Sequence, residues 1–401
     1  MSNLEKRKVP KRRFKEFENA PAWEQHKLGE IAEVIAGGDI NKSKIRVTGK
    51  FPVIANALTD DGIVGYYDDD FRVEVPAVTV TGRGEIGHAK ARTTNFTPVV
   101  RLLSIKSQHN IYFLENSINQ KRVIVESTGI PQLTVPQLKN YKILVTSIEE
   151  EKQIGSFFNQ LDTLITLQQR KLNKLNNLKK SYLAEMFPAE GERKPKRRFA
   201  GFTDAWEQHN FMELIDNIID FRGKTPKKLG MTWSNEGILA LSAQNVKEGY
   251  IDKTIDAHYG GQALYSKWMS GRELHKGQVI FTTEAPMGNV ARIPDKNKYI
   301  LSQRAIAFNV NNAMVTEDFL MYLLESPSVK NNLLRISSGG TAKGISQKTL
   351  SSLMVKVPIS LKEQERISFE FYNIDTLITL QQRKINKLKK LKDAYLNEMF
   401  V

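Results

Sequence analysis

The sequence contains no cysteine. That excludes disulfide cross-links, thiolate metal sites and a cysteine nucleophile, and it fits a reducing compartment, the cytoplasm. No apolar run approaches the roughly 20 residues that span a bilayer. The charged N-terminal residues lack the apolar stretch of a secretory signal. No membrane partner is expected, although on charge alone an anionic membrane surface would also fit. Histidine is scarce, six in all, with no HxH or HExxH spacing, so no metal site is expected.

What is present is a globular composition. The 401 residues are 40% hydrophobic and 26% charged, enough for two or three domains with their own cores. Lysine and arginine number 59 against 44 acidic residues, a formal charge of +15. Both halves share the excess: 28 basic against 22 acidic residues in 1–190, and 31 against 22 in 191–401. Such a surface favours a polyanion, most often nucleic acid, through counterion release.

The chain repeats itself. Residues 161–187 and 374–400 agree at 20 of 27 positions, at a constant offset of 213. Pro10-Lys11-Arg12-Arg13-Phe14 recurs as Pro195-Lys196-Arg197-Arg198-Phe199, and Ala22-Trp23-Glu24-Gln25-His26 as Ala205-Trp206-Glu207-Gln208-His209. Between these anchors, over 29–126 and 212–337, the halves share little sequence. One scaffold is written twice around two different inserts.

The long blocks read as helices. Leu161, Ile165, Gln168, Leu172, Leu175, Lys179, Tyr182 and Met186 recur at alternating spacings of four and three. Ile374, Ile378, Gln381, Ile385, Leu388, Lys392, Tyr395 and Met399 do the same in the second block. That is a heptad seam, narrow enough for one partner helix, with Gln168 and Gln381 as polar register-setters. The expected arrangement is an antiparallel coiled coil of rods about 40 Å long at 1.5 Å per residue. DNA half-sites one turn apart lie about 34–36 Å from each other. The N-terminal segment is expected beside the end of the second helix.

The inserts read as α+β, with strands over 75–81, 97–103, 278–283 and 305–310 and a helix over 317–325 broken at Ser326-Pro327. Trp23 and Trp206 read as packing anchors. The linear division is 1–150, 151–190, 191–361 and 362–401: insert one with the N-terminal segment, helical spacer, insert two, helical spacer. Catalytic signatures fail one by one. Gly82-Arg83-Gly84-Glu85-Ile86-Gly87 fits GxGxxG, but no helical period follows to receive a pyrophosphate. Gly339 to Ser346 resembles a phosphate loop with Ile345 where the lysine is needed. No methyltransferase motif and no nucleophile–base pair emerges.

DNA-contact candidates cluster at glycine-rich turns. They are Lys42, Lys44, Arg46, Arg83, Lys90 and Arg92 in the first insert. In the second they are Arg222, Lys224, Lys227, Lys228, Gln244, Asn245 and, beside Gly344, Lys343. Arginine and lysine read guanine edges, asparagine and glutamine adenine, and any of them can hold a phosphate instead. A coiled-coil scaffold for protein partners with non-specific nucleic-acid binding, and an enzyme with an unrecognised site, are the competing readings.

The doubled Trp-Glu-Gln-His opening, the divergent inserts and the heptad helices together resemble the specificity subunit of type I restriction–modification enzymes. Asp220-Phe221-Arg222-Gly223-Lys224-Thr225-Pro226, Thr282-Thr283-Glu284-Ala285-Pro286-Met287-Gly288-Asn289 and Gly344-Ile345-Ser346 look like segments of that family's target recognition domains. The resemblance implies a non-catalytic subunit whose two recognition domains each read half of a bipartite double-stranded DNA site, with the helices setting the spacer. It implies two methyltransferase subunits and two restriction subunits as partners, which would carry the AdoMet, Mg²⁺ and ATP. Gly82 to Gly87 departs from the Thr-Glu-Ala-Pro-Met-Gly form, so equivalent readout surfaces are not expected there.

Overall fold

The computed structural model describes residues 8–121, 131–255, 257–338 and 343–401. In chain order the first half carries β1 (Glu24–Lys27), α1 (Leu28–Ile31), β2 (Ala32–Ala36), β3 (Phe51–Ile54), β4 (Ile63–Tyr67) and β5 (Ala77–Thr81). There follow β6 (Ala89–Arg92), β7 (Thr97–Pro98), β8 (Leu102–Ser107), α2 (Ile111–Asn119), α3 (Val135–Lys139), β9 (Lys142–Val145) and α4 (Ile148–Glu185). The second half has β10 (Glu207–Asn210), β11 (Ile215–Asp220), β12 (Ile238–Leu241), β13 (His258–Gly260), α5 (Gln262–Met269), β14 (Val279–Thr282) and β15 (Val290–Arg292). It ends with β16 (Ile300–Leu301), β17 (Ala305–Val310), α6 (Glu317–Glu325), α7 (Pro327–Ile336), α8 (Gln347–Leu350), β18 (Met354–Val357) and α9 (Leu361–Met399).

The chain divides into two compact units, Met1–Arg170 with Arg383–Val401, and Lys171–Gln382. Each unit therefore combines an insert, the first part of the long helix that follows it, and the last part of the other long helix.

In the first unit the sheets run β2-β8-β5-β6, β4-β3-β7 and β1-β9. In the second they run β11-β17-β14-β15, β13-β12-β16 and β10-β18. Strand for strand these are the same nine-strand topology, including the parallel pairs β3–β7 and β12–β16. Inserts with little common sequence thus share one fold, which the sequence comparison did not reveal. The reason is that the central strands need only apolar β-formers: Ala77-Val78-Thr79-Val80-Thr81 and Val279-Ile280-Phe281-Thr282 are wholly buried with different side chains. The helix caps are equally interchangeable: Asn110 accepts from Tyr112 N and Phe113 N, and Thr316 from Phe319 N. The expected strand over 97–103 is two strands with a turn at Val99 to Arg101, because its left-handed Arg101 interrupts the extended chain. Pro327 ends α6 and also opens α7, where its missing N–H costs nothing. The second unit adds α5, whose Trp268 is fully buried among Leu241, Ile280 and Leu301.

The long helices exceed the 27-residue repeat, running 38 and 39 residues, or about 57 Å. The extra N-terminal turns are where sequence identity fades but helix signals persist, with Glu149, Glu150 and Glu151 in the first turn of α4. Inside the first unit the two helices pack antiparallel, Phe157 against Tyr395 at 5.0 Å and Asp162 against Lys392 at 2.6 Å. Inside the second, Asp375 meets Lys179 at 2.8 Å while Phe371 lies 6.0 Å from Phe187. The aliphatic, methionine and glutamine seam residues are all buried or half-buried, whereas Leu167, Leu178, Leu377, Leu380 and Leu391 off the seam are exposed.

The repeated short blocks are joints. Arg12 donates its backbone N–H to Glu398 O (2.9 Å), places its guanidinium 2.5 Å from the Glu398 carboxylate and lies over the Tyr395 ring. Arg197 repeats this on Glu185 and Tyr182. Arg13 forks onto the fully buried Glu150 at 2.6 and 2.7 Å, and Arg198 onto Glu363 at 2.7 and 2.8 Å. The N-terminal segment does lie beside the end of α9. Trp23 and Trp206 are buried, the first against Phe113 and Phe400, the second against Phe319 and Phe187.

Candidate nucleic-acid interface

A seven-residue hairpin joins β5 to β6 in the first unit and β14 to β15 in the second. In the first, Thr81 N donates to His88 O (3.0 Å), Gly87 N to Thr81 O (2.7 Å) and His88 N to Thr81 Oγ1 (3.0 Å). In the second, Thr282 N donates to Asn289 O (2.9 Å), Gly288 N to Thr282 O (2.8 Å) and Asn289 N to Thr282 Oγ1 (2.9 Å). The two hairpins share these three bonds. Gly82 to Gly87 thus keeps the backbone ends of the second hairpin while its loop residues differ. A threonine at the start and a left-handed glycine at Gly87 or Gly288 suffice for the geometry, whatever lies between. Strand β6, not a helix, follows Gly87.

Each hairpin is braced by a late segment. Leu133 N donates to Gly82 O (2.9 Å), and Ile345 N to Thr283 O (2.9 Å). The Gly344-Ile345-Ser346 run thus belongs to the hairpin's support, and Ser346 caps α8. Residues 339–342 of the phosphate-loop resemblance lie outside the described residues.

The candidate contacts separate into free and engaged groups. Lys42, Lys44, Arg46, Arg83, Lys227, Gln244 and Lys343 are exposed; Arg46 lies only loosely, 4.0 Å, from Asp68. Lys90 is half-buried, 3.9 Å from Asp61.

The remaining five direct polar groups into their own domain, and only the fully buried Asn245 is thereby a correction to the sequence reading. Asn245 is fully buried: its Oδ1 accepts from Ser242 N and Oγ (2.9 Å each), and its Nδ2 donates to Asp252 O (3.2 Å) and Ile255 O (2.6 Å). No edge is left for a base. Arg222 forks onto Asp220 and donates to Ile345 O (3.2 Å). Burial alone would push the Asp220 carboxyl up, but the bonds from Arg222 and Gln347 hold it below its ordinary range. Lys224 donates to Trp268 O (2.6 Å) above the Phe221 ring, and burial with nearby Arg272 lowers its pKa. Lys228 donates to Gly223 O (2.7 Å). Arg92 donates to Thr79 Oγ1 and Asp61 O (3.0 Å each), its pKa lowered by burial. The motif Asp220–Pro226 is thus largely a folding device, its ion pair closing the turn onto Ile345.

Sequence reasoning also missed Arg101 and Arg304, exposed arginines beside the two hairpins. Their flanks, Val100-Arg101-Leu102 and Gln303-Arg304-Ala305, share nothing else; the one available signal was an arginine opening the last apolar strand of each insert. Among the described residues no helix is long and apolar enough to cross a membrane.

A family model for the type I restriction modification DNA specificity domain matches residues 21–177 and 206–390. The MjaVIII type I restriction enzyme specificity subunit of Methanocaldococcus jannaschii is 24% identical over 400 residues, covering 94% of this chain and 91% of the relative. A putative type I specificity subunit of Mycoplasma pneumoniae is 32% identical over 160 residues, 37% of this chain and about half, 47%, of the relative. The crystal structure of the type I restriction–modification S subunit from M. genitalium superposes with a TM-score of 0.69 at 14% identity, covering 98% of this chain and 99% of that one.

Proposed function

This chain belongs to the type I restriction–modification DNA specificity family, and from that premise we propose that it reads an asymmetric, bipartite double-stranded DNA site, one half per unit. It does so as a non-catalytic subunit. The observation that carries the reading is one nine-strand topology built twice with different surface residues. Identical readers would select identical half-sites; these two share a frame and differ where side chains meet solvent. The exposed Lys42, Lys44, Arg46 and Arg83 supply one basic surface, and Lys227, Gln244 and Lys343 the other. Neutralising phosphates with such groups gives affinity, and the differing neighbours give sequence preference.

In this reading the near-identical helices hold two copies of a methyltransferase partner, and the restriction subunits join that assembly. AdoMet, Mg²⁺ and ATP chemistry resides in those partners. The test is DNA binding by the chain assembled with its methyltransferase partner, on random-sequence duplexes selected over several rounds. Enrichment of one bipartite, non-palindromic motif supports the reading. A complex that binds all duplexes alike contradicts it and favours the scaffold.

A further inference from the structure

Arg101 and Arg304 occupy one place in the common topology. Arg101 ends the turn from β7 into β8, and Arg304 the turn from β16 into β17. The turns are fixed alike: Val99 N donates to Ile54 O and Ser302 N to Leu241 O, both at 2.8 Å. Both arginines adopt left-handed backbone, φ 70° and 62°, where glycine or asparagine is the ordinary occupant. Each main chain is locked against its hairpin. A Cβ on Gly82 would collide with the Arg101 carbonyl, and Thr283 donates N–H (2.8 Å) and Oγ1–H (3.2 Å) to the Arg304 carbonyl. The side chains, by contrast, are exposed. Arg101 makes no hydrogen bond or ion pair among the described residues, and the Arg304 guanidinium sits 3.7 Å from the Glu284 carboxylate with both half in solvent.

An arginine that builds no structure, held in a conformation suited to glycine, recurs in two inserts that otherwise share little sequence. Strain of this kind persists where function retains it. We infer that Arg101 and Arg304 are matched phosphate clamps, one on each half-site; this rests on the two units being DNA readers. Readers of unlike half-sites meet different bases but the same sugar–phosphate backbone, so a shared residue belongs to the shared target. The guanidinium fork fits a phosphate in two bonds. Glu284 holds the Arg304 side chain loosely until the phosphate replaces it.

The test uses the chain assembled with its methyltransferase partner and the variants Arg101→Gly, Arg304→Gly and Arg101→Lys. Glycine accepts the left-handed backbone without strain, so the fold is retained, which thermal unfolding checks. Affinity is measured over a salt series for a duplex carrying the wild-type motif and for a scrambled one. Each glycine variant is expected to weaken both duplexes by the same factor and to reduce the log–log salt slope by about 0.9. The modified motif in genomic DNA should stay unchanged, and lysine should preserve the slope. An unaltered slope, or a glycine variant that changes a base in the motif, overturns the inference. If the wild-type assembly itself shows no sequence preference, the reader proposal fails instead, independently of the variants.

Discussion

The Lys392 ammonium lies 2.6 Å from the Asp162 carboxylate in the first unit, and its repeat counterpart Lys179 lies 2.8 Å from Asp375 in the second. The offset of 213 carries one pair onto the other. Their surroundings differ: Lys179 also holds Glu325 at 2.8 Å, a carboxylate only 4% exposed and pushed up in pKa by burial. The Lys179 pKa is nonetheless raised: burial pulls it down, and the two carboxylates together outweigh it. Lys179→Met is expected to cost about 3–5 kcal/mol, since it strands buried negative charge. Lys392→Met should cost about 1 kcal/mol or less, because Asp162 is partly solvated. Denaturant unfolding of the two variants checks the asymmetry; equal losses would contradict it.

The doubled Pro-Lys-Arg-Arg-Phe block makes a second prediction. Arg13→Ala leaves Glu150 buried without its bidentate partner and is expected to destabilise the first unit by about 3–5 kcal/mol. Arg13→Lys should recover little, since one ammonium cannot make two parallel bonds while also reaching Ala20 O. Unfolding followed by the nearby Trp23 fluorescence reports it.

Neighbouring residues in the second insert should behave oppositely. Asn245→Ala leaves the Ser242 N–H and the Asp252 and Ile255 carbonyls unpaired and should lose about 1–3 kcal/mol or more. Gln244→Ala, at an exposed position, should stay within about 0.5 kcal/mol yet weaken DNA binding. Stability and affinity measured on both variants separate the two roles.

Glu115 sits half-buried on α2, and its counterpart on α6 is Met321. Burial raises its pKa despite opposing Lys90 and an Ala91 backbone bond. A raised carboxyl favours the protonated native state. Its contribution is greatest below the unfolded value near 4.5 and is lost as pH climbs through the raised native value. Glu115→Gln should therefore gain stability relative to wild type as pH rises above about 4.5. A difference that stays flat from pH 4 to 8 would contradict this.

How much was legible follows from what repeats. The helices, their seam, the place of the N-terminal segment and the packing role of Trp23 were readable, because two copies of one sequence share one set of contacts. The kinship of the inserts was not. A buried strand accepts any apolar β-former, so Thr79-Val80 and Ile280-Phe281 occupy one place without resembling each other. Individual contacts were least legible. Basic residues near glycine turns include both free groups such as Lys227 and ones like Lys224, whose ammonium is spent on the Trp268 carbonyl; composition cannot tell them apart.

The central claim is that each unit reads its own half of a split DNA site. The most direct measurement replaces residues 29–126 with the corresponding insert of another family member and maps methylated bases across the genome of cells that also carry the methyltransferase partner. One half of the modified motif should change while the other half and the gap between them stay as in wild type. A motif altered in both halves, or in neither, would contradict the account.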